Sequence, residues 1–333
     1  MKIQKICYVN TIYSLFLFLL INSEDYQETF YFFGDEVPND IIIKFKNHVV
    51  LKKEFKKRGK DFQKYFFFKK LYKILEKNNL FDKEIYLQDH LKFSNFFLNN
   101  IENCYLLEDG LMSYDEKLLT KEIKRIIKTK FFKSIKNKII QKIKTEEKIY
   151  GLSDKITKIY LTGISEIPEI IKNKVELINI KEQWENLSED KKAKILGIFN
   201  IDESNFNKIE KTDNKILLIT QPLSEDNIVA EEEKIKIYKE IIDKYSNKNI
   251  IIKPHPREKT NYQEIFPNIE MIKGKFPLEI LMFLGIEFKE VITIFSTAAL
   301  NFKGITNVNF LGTENYFNLK EKAGEIKSNY YKI

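Results

Sequence analysis

Cysteine, glycine and proline are all scarce in this chain of 333 residues. Its two cysteines, Cys7 and Cys104, cannot build a disulfide framework or a four-cysteine zinc site, so we expect a reducing compartment and no structural metal. A composition of 43% apolar and 31% charged residues excludes disordered and collagen-like chains. What remains is a globular protein long enough for two domains.

The common signatures of cofactor and metal sites are also missing. The sequence has no Gly-x-Gly-x-x-Gly motif, no Walker loop, no His-Glu-x-x-His and no Asp-x-Asp pair. We therefore predict no bound cofactor and no metal site. Lysine and arginine exceed aspartate and glutamate by 56 to 48, a surplus too small to indicate a partner by itself.

The amino terminus carries an apolar run, Ile6–Ile21, which is too short to span a membrane. Its 16 residues fall below the roughly 20 that a spanning helix needs, and three polar residues interrupt it. No small-x-small cleavage site follows. We predict a strand over Lys5–Val9 and a helix over Ile12–Asn22, the first βα unit of a folded domain, with an export signal or anchor as the alternative.

Beyond this unit, apolar strand-like runs alternate with helix-period stretches, as a parallel sheet with crossover helices requires. The first series of predicted strands is Thr29–Phe33, Glu84–Leu87, Asn103–Leu107, Lys158–Leu161 and Val175–Ile178. The second series, after a turn-rich break at Lys211–Asn214, is Ile216–Thr220, the helix Ala230–Tyr245, Ile250–Ile252, Ile269–Ile272, the helix Pro277–Gly285, Glu290–Ile294 and Asn307–Phe310. We therefore predict an α/β protein of two Rossmann-like lobes, residues 1–180 and 181–333, with a cleft between them.

Four short polar motifs stand at the ends or starts of these elements. They are Glu108-Asp109-Gly110, Lys253-Pro254-His255-Pro256-Arg257, Phe276-Pro277-Leu278-Glu279 and Ser296-Thr297. In this order the set resembles the bacterial sialyltransferases of glycosyltransferase family 52, the lipooligosaccharide sialyltransferases. The start Val9-Asn10-Thr11-Ile12-Tyr13 and the pair Asp89-His90 are also similar, so the resemblance covers nearly the whole chain.

The resemblance implies a GT-B fold whose amino-terminal lobe faces the acceptor and whose carboxyl-terminal lobe binds a CMP-sugar. The implied reaction is the inverting, metal-independent transfer of sialic acid from CMP-N-acetylneuraminate to a terminal galactose of a lipooligosaccharide or other glycan. Another nucleotide-sugar on the same fold is the alternative, because the family includes members that transfer other sugars. The resemblance is also compatible with a homodimer.

His255 is the first catalytic candidate because it stands between two prolines directly after a predicted strand. The prolines restrict the backbone, so we expect the imidazole at the carboxyl edge of a sheet, where open α/β sheets bind ligands. A histidine there can protonate a leaving phosphate or hydrogen-bond to it. The alternative is a surface turn that simply ends the strand.

Two carboxylates compete for the role of the base that takes the acceptor proton. Asp109 follows a first-lobe strand, next to a glycine that permits a sharp turn, and it is the residue that the resemblance favours. Asp226 follows the first strand of the second lobe and is the rival. An ordinary solvated acidic loop is the alternative for either.

The other candidates are expected to hold the donor or to line the acceptor side. Ser296 and Thr297 have the composition of a helix start that binds phosphate, or of a plain helix cap. Glu279 could accept hydrogen bonds from ribose hydroxyls. The alternative is that it only stabilises the helix after Pro277, as an acid near a helix N-terminus. Pro256, Arg257 and Gly110 complete the predicted donor site, and Glu108, Asp89 and His90 form the predicted acceptor side.

The stretch Lys121–Lys144 is strongly basic, with ten lysine or arginine residues against Glu122 alone and apolar residues at every fourth position. A second basic tract is Lys52–Lys73. Such surfaces attract anionic lipid and nucleic acid. Because the implied acceptor is a glycolipid, we expect a cytoplasmic protein attached peripherally to the inner membrane through Lys121–Lys144, without nucleic acid. A basic nucleic-acid-binding protein and a merely solvated helix are the alternatives.

Overall fold

The computed structural model describes residues 2–24, 26–51, 60–135, 149–202, 215–245 and 250–328. The chain forms two compact units, Met1–Ile195 and Leu196–Ile333. The sequence analysis placed the division between residues 180 and 181. In the structure the division falls between Ile195 and Leu196. The helix Ile180–Glu185 belongs to the first unit because it packs against the helix Ile12–Ile21.

The first unit is built on a seven-stranded sheet in which all paired strands run parallel. Its strands are β1 (Lys5–Val9), β2 (Thr29–Phe33), β3 (His48–Val50), β4 (Glu84–Leu87), β5 (Cys104–Leu107), β6 (Ile156–Leu161) and β7 (Val175–Leu177). Their spatial order is β3-β2-β1-β4-β5-β6-β7. All five residues of β2 are buried, as expected for a parallel sheet whose two faces are both covered.

The helices of this unit are α1 (Ile12–Ile21), α2 (Asn39–Ile42), α3 (Lys60–Lys77), α4 (Ser94–Asn100), α5 (Glu116–Ile135), α6 (Ile180–Glu185) and α7 (Glu189–Ile198), the last of which crosses into the second unit. Helix α1 begins after Thr11, whose hydroxyl accepts a hydrogen bond from the Ser14 N–H at 3.2 Å. Most of α1 is buried, and β1 lies inside the sheet, so the predicted βα opening unit is confirmed. Within the described ranges, no helix is long and apolar enough to cross a membrane.

The second unit contains a five-stranded parallel sheet of order β10-β9-β8-β11-β12. Its strands are β8 (Ile216–Ile219), β9 (Ile250–Lys253), β10 (Glu270–Met271), β11 (Glu290–Thr293) and β12 (Asn307–Phe310). Its remaining helices are α8 (Glu231–Lys244), α9 (Tyr262–Ile265), α10 (Ile280–Phe283) and α11 (Phe317–Ala323). Helix α8 buries a stripe of apolar residues at helical spacing, Ile237, Tyr238, Ile241 and Ile242. The α/β class with two parallel-sheet lobes is therefore confirmed.

Each sheet reverses its strand order once, between β1 and β4 in the first unit and between β8 and β11 in the second. Open α/β sheets bind ligands outside the carboxyl ends of the strands at such points. The polar motifs of the sequence all follow strands at these edges: Asp89-His90 after β4, Glu108-Asp109-Gly110 after β5, Asp226 after β8, His255 after β9 and Ser296-Thr297 after β11. Topology therefore brings the predicted residues of each unit to one edge of its sheet.

Three local predictions differ from the structure. Strand β3 and helix α3 were not predicted, because β3 has only three residues at a sheet edge and α3 lies inside a lysine-rich tract. The helix predicted over Pro277–Gly285 shortens to the single turn of α10, and Gly285 beyond it has a positive φ of 69°. The helix predicted after Ser296 is a 3₁₀ segment, Thr297–Phe302.

Parts of three sequence features lie outside the described residues. These are the turn-rich break Lys211–Asn214, residues 52–59 of the second basic tract, and residues 136–144 of the stretch Lys121–Lys144. Helix α5 covers the beginning of that stretch.

Gly312 permits a close backbone approach in the second unit. Its φ is 68°, and a Cβ at this position would lie 2.3 Å from the carbonyl oxygen of Ile326. Gly304 has a similar φ of 82° but open space around it, so it is a matched control. Alanine at either position costs about 1 kcal/mol for the positive φ, whereas only Gly312→Ala adds a steric clash of about 1–3 kcal/mol.

Urea unfolding should therefore show a larger loss of the free energy of unfolding for Gly312→Ala than for Gly304→Ala, by at least about 1 kcal/mol. Equal losses would contradict the close approach.

Candidate active site

In the first unit, the loops after the neighbouring strands β4 and β5 bring an imidazole and a carboxylate together. The Nε2 atom of His90 lies 3.0 Å from Oδ2 of Asp109. Both side chains are partly exposed, and they line a small recess together with Met112 and Tyr150. Of the residues predicted for this unit, these two are the ones that a ligand can reach.

Asp89, the residue before His90, is buried and anchors the backbone at Tyr150 and Gly151. Its buried carboxylate accepts hydrogen bonds from the N–H groups of Tyr150, at 3.0 Å, and Gly151, at 2.7 Å. Burial raises the pKa of Asp89. Burial alone would lower the pKa of His90, but its hydrogen bond to Asp109 and the charges of both aspartates raise it. The contact with Asp109 therefore favours the protonated form of His90.

Glu108 is fully buried, so its predicted place on the acceptor side is wrong. Its carboxylate accepts from the hydroxyls of Tyr13 (2.7 Å) and Tyr114 (2.5 Å) and from both the N–H (2.6 Å) and the hydroxyl of Thr162. Burial raises the pKa of Glu108 against these hydrogen bonds. The residue joins α1, the segment after β6 and the β5 loop, next to Asp109 in the chain. Gly110, with a φ of 56°, makes the predicted sharp turn.

In the second unit, the structure pairs two residues that the sequence treated separately. The guanidinium of Arg257 donates to both carboxylate oxygens of Asp226, at 2.6 and 3.0 Å. The two side chains are 31 residues apart in the chain and both partly exposed. A bidentate pair of this kind is geometrically specific. As a base, Asp226 would have to act while its oxygens remain paired with Arg257.

His255 is held in one tautomer. Its Nδ1 lies 3.2 Å from the backbone N–H of Arg257 and accepts from it, so the ring proton of the neutral imidazole is on Nε2. Burial, followed by the charges of Arg257 and Lys253, lowers the pKa of His255 to about 4. At neutral pH the ring is therefore an uncharged donor rather than an imidazolium acid. Pro254 and Pro256 flank it, as the sequence requires.

A buried ammonium beneath these loops was not predicted. Lys234 of α8 is fully buried, and its Nζ lies 3.0 Å from Glu225, 3.1 Å from Glu231 and 3.8 Å from Glu258. The i,i+3 spacing of Glu231 and Lys234 was visible in the sequence, but their burial was not. We call these four residues the Lys234 cluster.

The Lys234 cluster ties the loop after β8 to the loop after β9. Glu258 accepts from the N–H of His255 and from the hydroxyl of Tyr262, both at 2.6 Å, and from the hydroxyl of Thr220. Glu225 accepts from the N–H of Lys259 at 2.6 Å. Burial alone would raise the pKa of Glu225, but the hydrogen bond from Lys259 and the Lys234 ammonium lower it to about 2. The cluster thereby fixes the backbone that carries His255.

Ser296 and Glu279 occupy different settings from those predicted. Ser296 precedes a six-residue 3₁₀ segment, not an α-helix, and its side chain makes no capping hydrogen bond. Glu279 is buried at the start of the one-turn helix α10 and accepts from the side-chain amide of Asn301. A helix-dipole role for either residue is wrong because neither element is long enough. Ser296 and Thr297 remain partly exposed after β11.

Lys253, the last residue of β9, is a further unpredicted buried cation. Its Nζ donates to the carbonyl of Gly274 at 2.8 Å and lies 4.4 Å from the ring centre of Phe276. Burial lowers the pKa of Lys253 to about 7. The residue links the His255 loop to the segment that leads to Glu279. Among the described residues, no three His, Cys, Asp or Glu side chains are arranged to hold a metal ion.

Solved structures with similar folds include bacterial sialyltransferases. An α/β-galactoside α-2,3-sialyltransferase from Photobacterium phosphoreum gives a TM-score of 0.60 at 14% identity, covering 99% of this chain and 97% of that one. The 2,6-sialyltransferase of Photobacterium sp. JT-ISH-224, solved with CMP and lactose, gives 0.63 at 14% identity over 90% and 69%. The GT-B domain of a Photobacterium damselae sialyltransferase gives 0.54 at 12% over 90% and 88%. The fold is thus that of the GT-B glycosyltransferases.

The sequence identifies the family within that class. The model of glycosyltransferase family 52 matches residues 27–313, so the chain belongs to glycosyltransferase family 52. An uncharacterized protein of Haemophilus influenzae strain Rd is 36% identical over 322 residues, covering 94% of this chain and 95% of that protein.

Removal of the buried cation tests the structural role of the Lys234 cluster. Lys234→Met leaves three carboxylates without their shared ammonium, and breaking a buried ion pair in this way costs about 3–5 kcal/mol. Lys236→Met, on the exposed face of the same helix, is the control and should change stability by less than about 0.5 kcal/mol. Urea unfolding measures both, and a mild effect of Lys234→Met would show that the cluster does not hold the loops.

Proposed function

We propose that the protein is a sialyltransferase that moves sialic acid from CMP-N-acetylneuraminate to a terminal galactose of a lipooligosaccharide or other glycan, with inversion and without a metal ion. Membership of family 52 supports the glycosyl transfer. The single observation that carries the choice of donor is the neutral, preoriented His255 donor at the carboxyl edge of the second sheet. A preoriented donor at this edge can stabilise the charge that develops on a leaving phosphate.

The donor would bind at the carboxyl edge of the second unit. In this proposal His255 donates from Nε2–H to the phosphate, and the hydroxyls of Ser296 and Thr297 after β11 add further donors. Pro256 restricts the His255 loop, and Arg257 supplies a cation beside it. Glu279, which accepts from the side-chain amide of Asn301, would lie beneath the ribose of the donor.

The proposed chemistry is a direct displacement. The acceptor hydroxyl oxygen forms a bond to the anomeric carbon as the bond from that carbon to the phosphate oxygen breaks and CMP leaves with the electron pair. A carboxylate takes the hydroxyl proton. His255 stabilises the charge that develops on the phosphate by hydrogen bonding, since the ring is neutral at neutral pH and carries no imidazolium proton to transfer.

Two carboxylates remain candidates for the base. Asp109 has the support of the family resemblance, and the ring of His90 lies 3.0 Å from its carboxylate. Asp226 shares the loops of the second unit with His255 but is already paired with Arg257. The acceptor side would be formed by His90 and Asp109, with Asp89 and Glu108 as positioning residues.

The function is tested directly by following CMP release from CMP-N-acetylneuraminate in the presence of lactose, with and without EDTA. We expect release and a sialylated product in both conditions. Turnover of UDP-sugars but not of the CMP-sugar would replace the proposed donor with another nucleotide-sugar. Loss of activity in EDTA, restored by magnesium or manganese, would contradict metal independence.

Two substitutions of His255 distinguish a hydrogen-bond donor from an acid. His255→Ala removes the donor and should lower kcat roughly 10²–10³-fold, the typical cost of one transition-state donor. His255→Gln places an amide N–H near the position of Nε2 and should recover part of that loss. If both variants are equally inactive while CMP still binds, proton donation rather than hydrogen bonding is needed.

The choice of base is tested by Asp109→Asn and Asp226→Asn, compared at saturating lactose. If Asp109 is the base, its variant should lose roughly 10²–10⁴-fold in kcat with CMP binding nearly unchanged, and Asp226→Asn should lose much less. The reverse order would transfer the role to Asp226.

A further inference from the structure

Helix α3 presents two chemically different faces. Its inner face carries Leu71 and Leu75, which are buried in the core of the first unit. The ring of Phe67 packs on Phe93 with ring centres 4.7 Å apart, and that of Phe68 stacks on Phe96 at 5.5 Å. These contacts fix the rotation of the helix, so the opposite face points to solvent.

That outward face exposes three aromatic rings. Tyr65, Phe66 and Tyr72 are 61%, 50% and 47% exposed, which makes them three of the large hydrophobic residues that the fold does not bury. Exposed aromatic residues that occur singly are ordinary, but three on one helix face form a patch, and such patches mark interaction sites.

Lysines stand among the rings. Tyr65, Lys69, Lys73 and Lys77 follow one another at intervals of four, so they form one row along the helix, and Lys70 lies beside it. All four lysines are exposed, and Glu76 is the acidic residue among them whose side chain the structure describes. Like charges four residues apart destabilise a helix, so Lys69 and Lys73 repel one another. A negatively charged partner would remove that repulsion.

Aromatic rings and lysine ammonium groups side by side on a convex helix suit a lipid surface. Tyrosine and phenylalanine rings settle at the level of the headgroups, while ammonium groups contact anionic lipid above them. Single-stranded nucleic acid also stacks on aromatic rings, but in grooves that track its backbone rather than on one convex helix.

We propose that the outward face of α3, namely Tyr65, Phe66, Tyr72 and its four exposed lysines, docks the protein on an anionic lipid bilayer. The face differs from Lys121–Lys144, to which the sequence assigned membrane binding. Docking is independent of the proposed catalysis, because none of these side chains belongs to the candidate active site. Its effect would be to bring the enzyme to acceptors that are embedded in a membrane.

Sedimentation with vesicles of phosphatidylcholine alone, or with 30% phosphatidylglycerol, tests the proposal with the full chain. We expect binding to the anionic vesicles only. This binding should weaken as the salt concentration rises, because salt screens the attraction between lysines and anionic lipid. Lys69→Ala with Lys73→Ala should weaken binding roughly 30-fold, since each lysine near an anionic surface contributes about fivefold. Lys236→Ala with Lys239→Ala, an equal charge change on exposed positions of α8, should change it less than twofold.

Tyr65→Ser with Phe66→Ser should also reduce binding while leaving its salt dependence in place. Unchanged vesicle binding of the α3 lysine variant, or loss of binding only in Lys121→Ala with Lys124→Ala, would overturn the proposal. So would tighter binding to a single-stranded oligonucleotide that the α3 substitutions abolish. Urea midpoints equal to wild type confirm that the variants fold, and turnover of soluble lactose, expected to be unchanged, separates a failure of docking from a failure of the proposed function.

Discussion

The buried ammonium of Lys234 is the constraint on which the donor side of this protein depends. A charged group inside a protein is costly unless it is paired and hydrogen-bonded, and here three carboxylates surround it. Two of those carboxylates reach into the loops after β8 and β9 and accept backbone N–H groups there. The need to satisfy one buried cation thus holds two otherwise irregular loops in one conformation.

The consequence for chemistry appears at His255. Its backbone N–H donates to Glu258, and its Nδ1 accepts from the N–H of Arg257. The second hydrogen bond fixes both the tautomer and the orientation of the ring. With a pKa of about 4 the ring stays neutral in the folded protein, whereas in the unfolded chain it titrates near its ordinary value. The folded state therefore loses stability as the pH falls from about 6.5 towards 4, because only the unfolded chain takes up the proton.

The sequence predicted most of the fold but only part of the site. Parallel strands buried on both faces appear as apolar runs, and for this reason β2, β8 and β9 were recognisable, whereas the three-residue edge strand β3 was not. The residues after each strand were recognisable from topology alone. Their pairing was not, because Asp226 and Arg257 are 31 residues apart and nothing local joins them. Burial also changed roles, since Glu108 looked like a surface acid but holds three elements together.

The central claim is that the Lys234 cluster holds the loop in which burial keeps His255 neutral and the Arg257 N–H keeps its ring proton on Nε2. The most direct measurement is a pH titration of the histidine ring nitrogens by ¹⁵N NMR, with His255 assigned through His255→Gln. We predict that His255 stays in the Nε2–H form down to about pH 5, and that Lys234→Met moves its pKa towards the ordinary value near 6.5. A wild-type pKa near 6.5, or a ring proton on Nδ1, would contradict the account.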